Sequence, residues 1–138
     1  MEDPATLLKQ MNILVADDSD SMLSLVTTSL RELGAENVFT ATNGQNAWKL
    51  LNRKAIDLII CDWDMPELSG LQLLNFVRES EMHKHIPFLL LTASTEKSRV
   101  LQAVKAGVND YLAKPFQPKE LDYRVIKLLR KVDLTKGH

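Results

Sequence analysis

Short apolar runs that alternate with amphipathic stretches are the feature of this sequence that most constrains its fold. Runs of four or five mostly apolar residues are typical of strands buried on both faces of a parallel sheet, and they occur at 12–16, 38–41, 57–61, 87–91 and 110–113. Between and after them, apolar residues recur at helical spacing, which predicts helices at 21–33, around 47–51, at 71–78, 97–106 and 118–132. Strands and helices in strict alternation, joined by right-handed crossovers, predict a doubly wound α/β sheet.

Candidate site residues follow four of the five predicted strands, and the second strand leads into Thr42-Asn43-Gly44, with nothing ionisable. The first strand leads into Asp17-Asp18, the third into Asp62, the fourth into Thr92 and the fifth into Lys114. Ligands of doubly wound sheets bind at the carboxyl ends of the strands, so we expect these side chains to meet at one edge of the sheet. Single polar residues often cap strands, but five that converge on one edge favour a functional site.

The expected combination of three carboxylates, a hydroxyl and an ammonium has a restricted chemistry. Carboxylates that lie together must either take up protons or bind a cation. Oxygen ligands beside a phosphate favour Mg²⁺, while a lysine and a threonine offer positive charge and a hydrogen bond to phosphate oxygens. A carboxylate can also be a nucleophile that forms an aspartyl phosphate. The sequence therefore predicts a site that accepts a phosphoryl group.

In the order and spacing of its motifs, the sequence resembles the receiver domains of two-component signalling, and most of all the single-domain regulators of the CheY type. The motifs that carry the resemblance are Asp17-Asp18, Asp62-Trp63-Asp64-Met65-Pro66 with Gly70, Thr92-Ala93, and Ala106-Gly107 through Tyr111 to Lys114-Pro115-Phe116. The resemblance implies a flavodoxin-like five-stranded parallel sheet in the order 2-1-3-4-5 with five helices. It places a receiver domain at 12–132, an N-terminal extension at 1–11, and a C-terminal tail or linker stub at 133–138.

The resemblance also assigns roles at the site. Asp62 would be the phosphoryl acceptor, and Lys114 would pair with the acidic cluster and then with the phosphoryl group. Mg²⁺, or Mn²⁺ in its place, would bind directly to Asp18 and Asp62, to the backbone carbonyl of Asp64, and through water to Asp17.

Further residues would respond to phosphorylation or set its lifetime. By resemblance, Thr92 would swing toward the phosphoryl group and Tyr111 would turn inward, although Tyr111 could also be a plain packed aromatic. Asp64 and Ser94 would flank the path of the attacking water, at positions where chemotaxis relatives often carry an asparagine and an acid. The Asp64 side chain could equally be an ordinary surface turn residue.

Four other residues have less specific interpretations. Cys61 precedes the acceptor and would point to the opposite face of the sheet, which predicts a buried, inert thiol. We expect Trp63 to be a partly exposed packing residue. His83 and His85 are spaced like a metal pair, but no third ligand is visible in the sequence, so a solvated loop is expected.

The function implied by the resemblance is a signalling switch rather than substrate turnover. A sensor histidine kinase or a phosphotransfer protein would donate the phosphoryl group, and the face formed by 97–106, 110–113 and the last helix would bind a downstream partner or output domain. Two alternatives stay open. Asp62-Trp63-Asp64 also fits the DxD motif of haloacid-dehalogenase-like phosphatases, although their further acid pair follows the lysine, whereas here Asp17-Asp18 come first. A degenerate receiver that only binds partners is the other.

Bulk properties exclude several other classes. The net charge of -1 gives no global electrostatic reason to bind nucleic acid directly. No apolar run is long enough to insert across a membrane, and residues 1–10 lack the features of a signal peptide. A single cysteine rules out an internal disulfide and suits a reducing compartment, so we expect a cytoplasmic protein.

Overall fold

A single parallel sheet of five strands forms the centre of the molecule. The computed structural model describes residues 3–94 and 96–132, and the tail expected at 133–138 lies outside them. The strands are β1 (Asn12–Ala16), β2 (Asn37–Ala41), β3 (Leu58–Asp62), β4 (Phe88–Thr92) and β5 (Asp110–Ala113). They pair in parallel in the order β2-β1-β3-β4-β5. The predicted fold class and strand order are therefore confirmed.

Helices cover both faces of this sheet. They are α1 (Pro4–Gln10), α2 (Asp20–Leu33), α3 (Gly44–Leu51), α4 (Gly70–Glu79), α5 (Lys97–Ala106) and α6 (Pro118–Leu128), and a 3₁₀ turn over Leu129–Lys131 follows α6. The described residues thus contain six α-helices where five were predicted. The additional helix is α1, in the segment expected to be an N-terminal extension.

Helix α1 is built into the core. The carboxylate of Asp3 accepts a hydrogen bond from the Thr6 backbone N–H at 3.3 Å, and Pro4 occupies the first turn, where proline is favoured. Leu8 is fully buried on the side of the sheet that α2 and α6 also cover. Gly34, at the end of α2 with φ of 125°, lies so close to α1 that a side chain there would meet the Ala5 backbone at 3.0 Å. The segment 4–10 is therefore a packed part of the domain.

The apolar core is divided into two layers by the sheet. Alternate residues of one strand enter different layers: Ile13 and Val15 pack with α1, α2 and α6, while Leu14 and Ala16 pack with α3 and α4. All four are fully buried. Burial on both faces explains why the strands read as continuous apolar runs. None of the helices in the described ranges has the length and apolar character needed to cross a membrane.

Arg78 on α4 anchors two loops, a role that the sequence did not reveal. Its Nη1 donates to the carbonyl oxygens of Ile86 at 2.7 Å and Lys84 at 3.0 Å. Its Nε donates to the Gly107 carbonyl at 2.9 Å, and its Nη2 donates to Asn109 Oδ1 at 2.7 Å. One side chain thereby ties α4 to the carboxyl end of α5 and to the loop before β4.

The expectation of a solvated loop is wrong for His83. This side chain is buried, its Nε2 lies 3.2 Å from Asn52 Oδ1, and its ring lies edge-on to Trp48 with 5.7 Å between centroids. His85 is exposed, as expected. The loop folds back under α3 because Trp48 and Asn52 offer the imidazole an apolar face and a polar partner, which local sequence does not show.

Candidate functional site

The polar residues predicted to meet do lie at one edge of the sheet. Asp17 follows β1, Asp62 is the last residue of β3, Thr92 is the last residue of β4, and Lys114 follows β5. The strand order reverses between β1 and β3, so Asp17 and Asp62 flank the switch point at which doubly wound sheets bind ligands. Asp18 lies beside them and is exposed.

Lys114 connects the two buried carboxylates. Its Nζ donates to Asp17 Oδ2 at 3.0 Å and to Asp62 Oδ1 at 3.1 Å. Both acidic side chains are buried, and 19% of the Lys114 side chain is exposed. The peptide bond between Lys114 and Pro115 is cis. One ammonium therefore faces two carboxylates, and the three groups together retain a net negative charge.

The electrostatics of the site follow from this imbalance. Burial, and after it the charge of Asp17, raise the pKa of Asp62 above its ordinary value, although Lys114 and a hydrogen bond from the Asp64 backbone favour the charged form. Burial alone would lower the pKa of Lys114, but its hydrogen bonds and attraction to Asp17 and then Asp62 outweigh this and raise it. Additional positive charge beside Asp62 would stabilise the ionised form of its carboxyl group.

Three carboxylates form a cluster that is able to bind Mg²⁺. Oxygen atoms of Asp17, Asp18 and Asp62 all lie within 4.8 Å of one another. Asp17 already uses both oxygens, because Oδ1 accepts the Ser19 backbone N–H at 2.9 Å and Oδ2 accepts Lys114. An exposed carboxylate beside two buried ones, all with oxygen donors, suits a hard cation that keeps some of its waters.

The turn after Asp62 is held tightly against the strand end. The Gly70 backbone N–H donates to the Trp63 carbonyl at 2.8 Å. A Cβ at Gly70 would overlap the carbonyl oxygen of Asp62, so only glycine permits this approach. Glu67, in the same turn, has a φ of 67°, which is uncommon for a residue with a side chain. The turn therefore fixes the end of β3 and the position of Asp62.

Thr92 and Tyr111 lie together beside the acidic cluster. The Thr92 hydroxyl is buried; it donates to the Ser94 carbonyl at 3.2 Å and accepts the Ser94 backbone N–H at 3.1 Å. Tyr111 is half-buried and, with Thr92 and Trp63, lines a small cavity. The Thr92 hydroxyl is therefore held by hydrogen bonds to its own loop. The small cavity next to it is also lined by Tyr111.

Arg99 on α5 is part of this arrangement, a role that the sequence did not reveal. Its Nη1 and Nη2 donate to the two carboxylate oxygens of Asp64 at 3.1 and 3.0 Å. Nη1 also lies 3.4 Å from Thr92 Oγ1, and the guanidinium stacks over the Trp63 ring at 4.7 Å from its centroid. Trp63 is 7% exposed, so the expectation that it is partly exposed is wrong. Arg99 could not be recognised from the sequence, because an arginine on a predicted helix is usually a solvated surface residue.

Cys61 has no part in the cluster. It is fully buried, and its Sγ donates to the Asp62 carbonyl at 3.2 Å. Burial, together with the neighbouring carboxylates, raises the pKa of the thiol well above its ordinary value. The prediction of a buried thiol is confirmed, and its inertness stays a prediction, since a thiol that stays protonated is a poor nucleophile.

Comparison with known families places the chain. The family model for the response regulator receiver domain matches residues 13–126, and the chain belongs to this family. Receiver domains are signalling switches of two-component systems, not conventional enzymes. The phosphatase alternative finds no support in these comparisons.

Individual relatives agree with this assignment. The chain is 36% identical over 128 residues to the chemotaxis protein CheY-3 of Vibrio cholerae, which covers 93% of this chain and 98% of that protein. It is 42% identical over 112 residues to the chemotaxis protein CheY1 of Helicobacter pylori, which covers 80% and 90%. A solved structure that resembles this chain is the receiver domain of a Pseudomonas aeruginosa sensor histidine kinase, which is described with a magnesium ion coordinated in its active site cleft. Its TM-score is 0.78 at 29% identity, and the match covers 87% of this chain and 98% of that one.

Proposed function

We propose that this protein is a phosphorylation-dependent switch in which Asp62 accepts a phosphoryl group from a sensor histidine kinase, a phosphotransfer protein or a small phosphodonor. The observation that carries the proposal is the bridge from Lys114 to Asp17 and Asp62, with Asp18 beside it. The bridge fixes one buried carboxylate at the edge of the sheet and keeps a cation next to it. A nucleophile for phosphoryl transfer needs both positioning and charge compensation.

The proposed chemistry begins at the Asp62 carboxylate. One of its oxygens forms a bond to phosphorus, while the bond from phosphorus to the donor breaks and its electron pair stays on the leaving group. The leaving group is the imidazole side chain when phosphohistidine is the donor, and acetate when acetyl phosphate is the donor. Lys114 remains beside the new acyl phosphate and offsets charge on its oxygens.

The acidic cluster would hold the metal required by this reaction. Asp18 and Asp62, with the backbone carbonyl of Asp64, are the proposed direct ligands. We propose that Asp17 contributes through water, since both of its oxygens already accept hydrogen bonds. Bound Mg²⁺ or Mn²⁺ would offset negative charge on the phosphoryl oxygens.

Thr92 and Tyr111 are the proposed switch residues. The Thr92 hydroxyl, which now donates to Ser94, would turn to donate to a phosphoryl oxygen once the charge at Asp62 increases. Tyr111 adjoins the same small cavity and would move further inward as Thr92 leaves its place. Together the two residues would link the state of Asp62 to α5 and β5.

The proposed output surface is formed by α5, β5 and α6 of the receiver domain. It exposes four large apolar side chains, namely Leu101, Val104, Tyr123 and Ile126. Apolar residues on a solvent face are typical of protein contacts when they cluster. We propose that phosphorylation changes the affinity of this surface for a partner protein or an output domain.

The pathway is proposed from the relatives. The curated relatives named above are chemotaxis proteins that the chain covers almost completely. We therefore propose a stand-alone regulator of the chemotaxis type, and the receiver of a larger regulator is the second candidate.

Intact mass spectrometry tests the proposal. The protein is incubated with acetyl phosphate and Mg²⁺, in parallel with an EDTA control, Asp62→Asn, and Asp20→Asn as a nearby acidic control. We expect one phosphoryl adduct on the wild type and on Asp20→Asn, and none on Asp62→Asn or with EDTA. An adduct that persists in Asp62→Asn, or no adduct on the wild type, would contradict it. Rapid turnover of p-nitrophenyl phosphate would instead indicate a phosphatase.

A further inference from the structure

Arg99 joins three parts of the molecule that meet at the phosphorylation site. It reaches from α5 to Asp64, which follows β3, and to Thr92, which ends β4. One nitrogen, Nη1, lies 3.1 Å from Asp64 Oδ2 and 3.4 Å from Thr92 Oγ1. The Asp64 carboxylate is therefore held at the side of Thr92, over the end of the sheet.

This ion pair is better organised than an ordinary surface pair. The side chains of Arg99 and Asp64 are 30% and 55% exposed, and a simple pair with such exposure stabilises little. Here two parallel hydrogen bonds fix the guanidinium, and its face lies on the buried Trp63 ring. Both features restrict the orientation of the arginine. The pair is thus suited to hold Asp64 in one place.

Asp64 is close enough to Asp62 for its position to matter. Its backbone donates a hydrogen bond to the Asp62 carboxylate. Through Arg99 Nη1, the Asp64 carboxylate is also held near Thr92 Oγ1, at the end of the strand that pairs with β3. A carboxylate that swung free of Arg99 would stand beside a phosphoryl group on Asp62, where it could accept a proton from water.

We propose that Arg99 is a positioning residue that keeps the Asp64 carboxylate away from the water that hydrolyses phosphorylated Asp62, and so prolongs the phosphorylated state. This inference rests on the proposed phosphorylation of Asp62. In the hydrolysis, the water oxygen bonds to phosphorus and the bond from phosphorus to the Asp62 oxygen breaks, with its electron pair left on the carboxylate. The water gives its proton to a nearby base or to solvent. A free Asp64 is that base; an Asp64 bound to Arg99 is not.

A double-mutant cycle tests this assignment. Wild type, Asp64→Asn, Arg99→Gln and the double variant are loaded with acetyl phosphate and Mg²⁺, freed of donor by desalting, and followed by intact mass. We expect Arg99→Gln to shorten the half-life of the adduct about five-fold, well below the 10²–10⁴-fold effect typical of a fully positioned base. Adding Asp64→Asn to Arg99→Gln should lengthen the half-life again, and this gain should be larger than any change that Asp64→Asn causes when Arg99 is present.

The comparison between Arg99→Gln and the double variant isolates the carboxylate, because Thr92 has lost its arginine contact in both. Arg99→Lys, which keeps the charge without the two parallel bonds, should give an intermediate half-life. Lys84→Gln, whose charge pairs with Glu81 elsewhere in the fold, is the matched control and should decay like the wild type. Thermal unfolding establishes that each variant is folded.

The outcomes separate this inference from the proposed function. If Asp64→Asn has the same effect with and without Arg99, or if Arg99→Gln decays no faster than the wild type, Arg99 does not control Asp64 and the inference is wrong. A wild type that never forms an adduct contradicts the proposed function itself. An adduct with equal lifetimes in all variants contradicts the role of Arg99 alone.

Discussion

Lys114 Nζ lies 3.0 Å from Asp17 Oδ2 and 3.1 Å from Asp62 Oδ1, so one ammonium bridges carboxylates at the ends of two different strands. The bridge lies where the strand order reverses, with little access to solvent. Two buried negative charges would repel each other strongly without it. The bridge therefore compensates the charge of both carboxylates and, in the proposed function, would prepare Asp62 as an acceptor.

Replacing Lys114 by Met should leave the two carboxylates without compensation. We expect the free energy of unfolding, measured by urea denaturation in the presence of a chelator, to fall by about 3 kcal/mol, the usual effect of breaking a buried ion pair. Adding Asp17→Asn should recover part of the loss, because it removes the repulsion. Lys9→Met, which breaks an exposed pair with Glu36, should cost less than about 1 kcal/mol. Equal losses for the two lysines would contradict this assignment.

Magnesium should stabilise the protein through the acidic cluster. We expect Mg²⁺ to raise the midpoint of thermal unfolding, because a ligand bound by the folded state alone adds to stability. Asp18→Asn should abolish this increase without unfolding the protein, since Asp18 is exposed. The control is Asp20→Asn, an exposed acid outside the cluster, which should keep the full response. A response that survives in Asp18→Asn would place the metal elsewhere.

Gly70 should tolerate no side chain. A Cβ there would overlap the Asp62 carbonyl, so Gly70→Ala must displace either the start of α4 or the end of β3. We expect a loss of about 1–3 kcal/mol in unfolding free energy, as for other overpacked sites, together with slower phosphorylation by acetyl phosphate. Asn75→Ala, at an exposed position of the same helix, should leave both unchanged. If Gly70→Ala matches Asn75→Ala in both measurements, the close approach is unimportant.

Much of the fold and site could be predicted because their signals are local. Apolar runs marked the five strands, and the residues directly after them marked Asp62, Asp17 and Lys114 as neighbours. Parallel strands then bring their carboxyl ends together whatever the details of packing. The turn to Gly70 was also recognisable from the motif, although the contact that demands glycine is visible only in the structure.

The features that were missed depend on distant contacts. Arg99 and Asp64 are 35 residues apart, and nothing local distinguishes Arg99 from a solvated charge. His83 is buried only because Trp48 and Asn52 lie above it. Helix α1 is the exception, since Asp3-Pro4 is a recognisable helix start and Leu7, Leu8 and Met11 have helical spacing. That signal was present in the sequence and was overlooked because the segment is short.

His83 should make the stability of the protein depend on pH. Burial lowers the pKa of His83 below its ordinary value near 6.5, so the unfolded chain binds a proton more readily than the folded one. The stability that this group contributes is present above the unfolded pKa and is lost as the pH falls through the folded pKa. We expect His83→Gln to reduce the loss of urea resistance between about pH 7.5 and about pH 5.5. The exposed His85→Gln is the control; the same pH dependence in both variants would contradict the prediction.

Chemical mapping shows whether Asp62 is the residue that carries the phosphoryl group. After incubation with acetyl phosphate and Mg²⁺, reduction with borohydride converts a phosphorylated aspartate into homoserine, which fragment mass spectrometry locates in the chain. We expect homoserine at position 62 and unchanged aspartate at 17, 18 and 64. Homoserine at one of those three positions instead, or at none of the four, would contradict it.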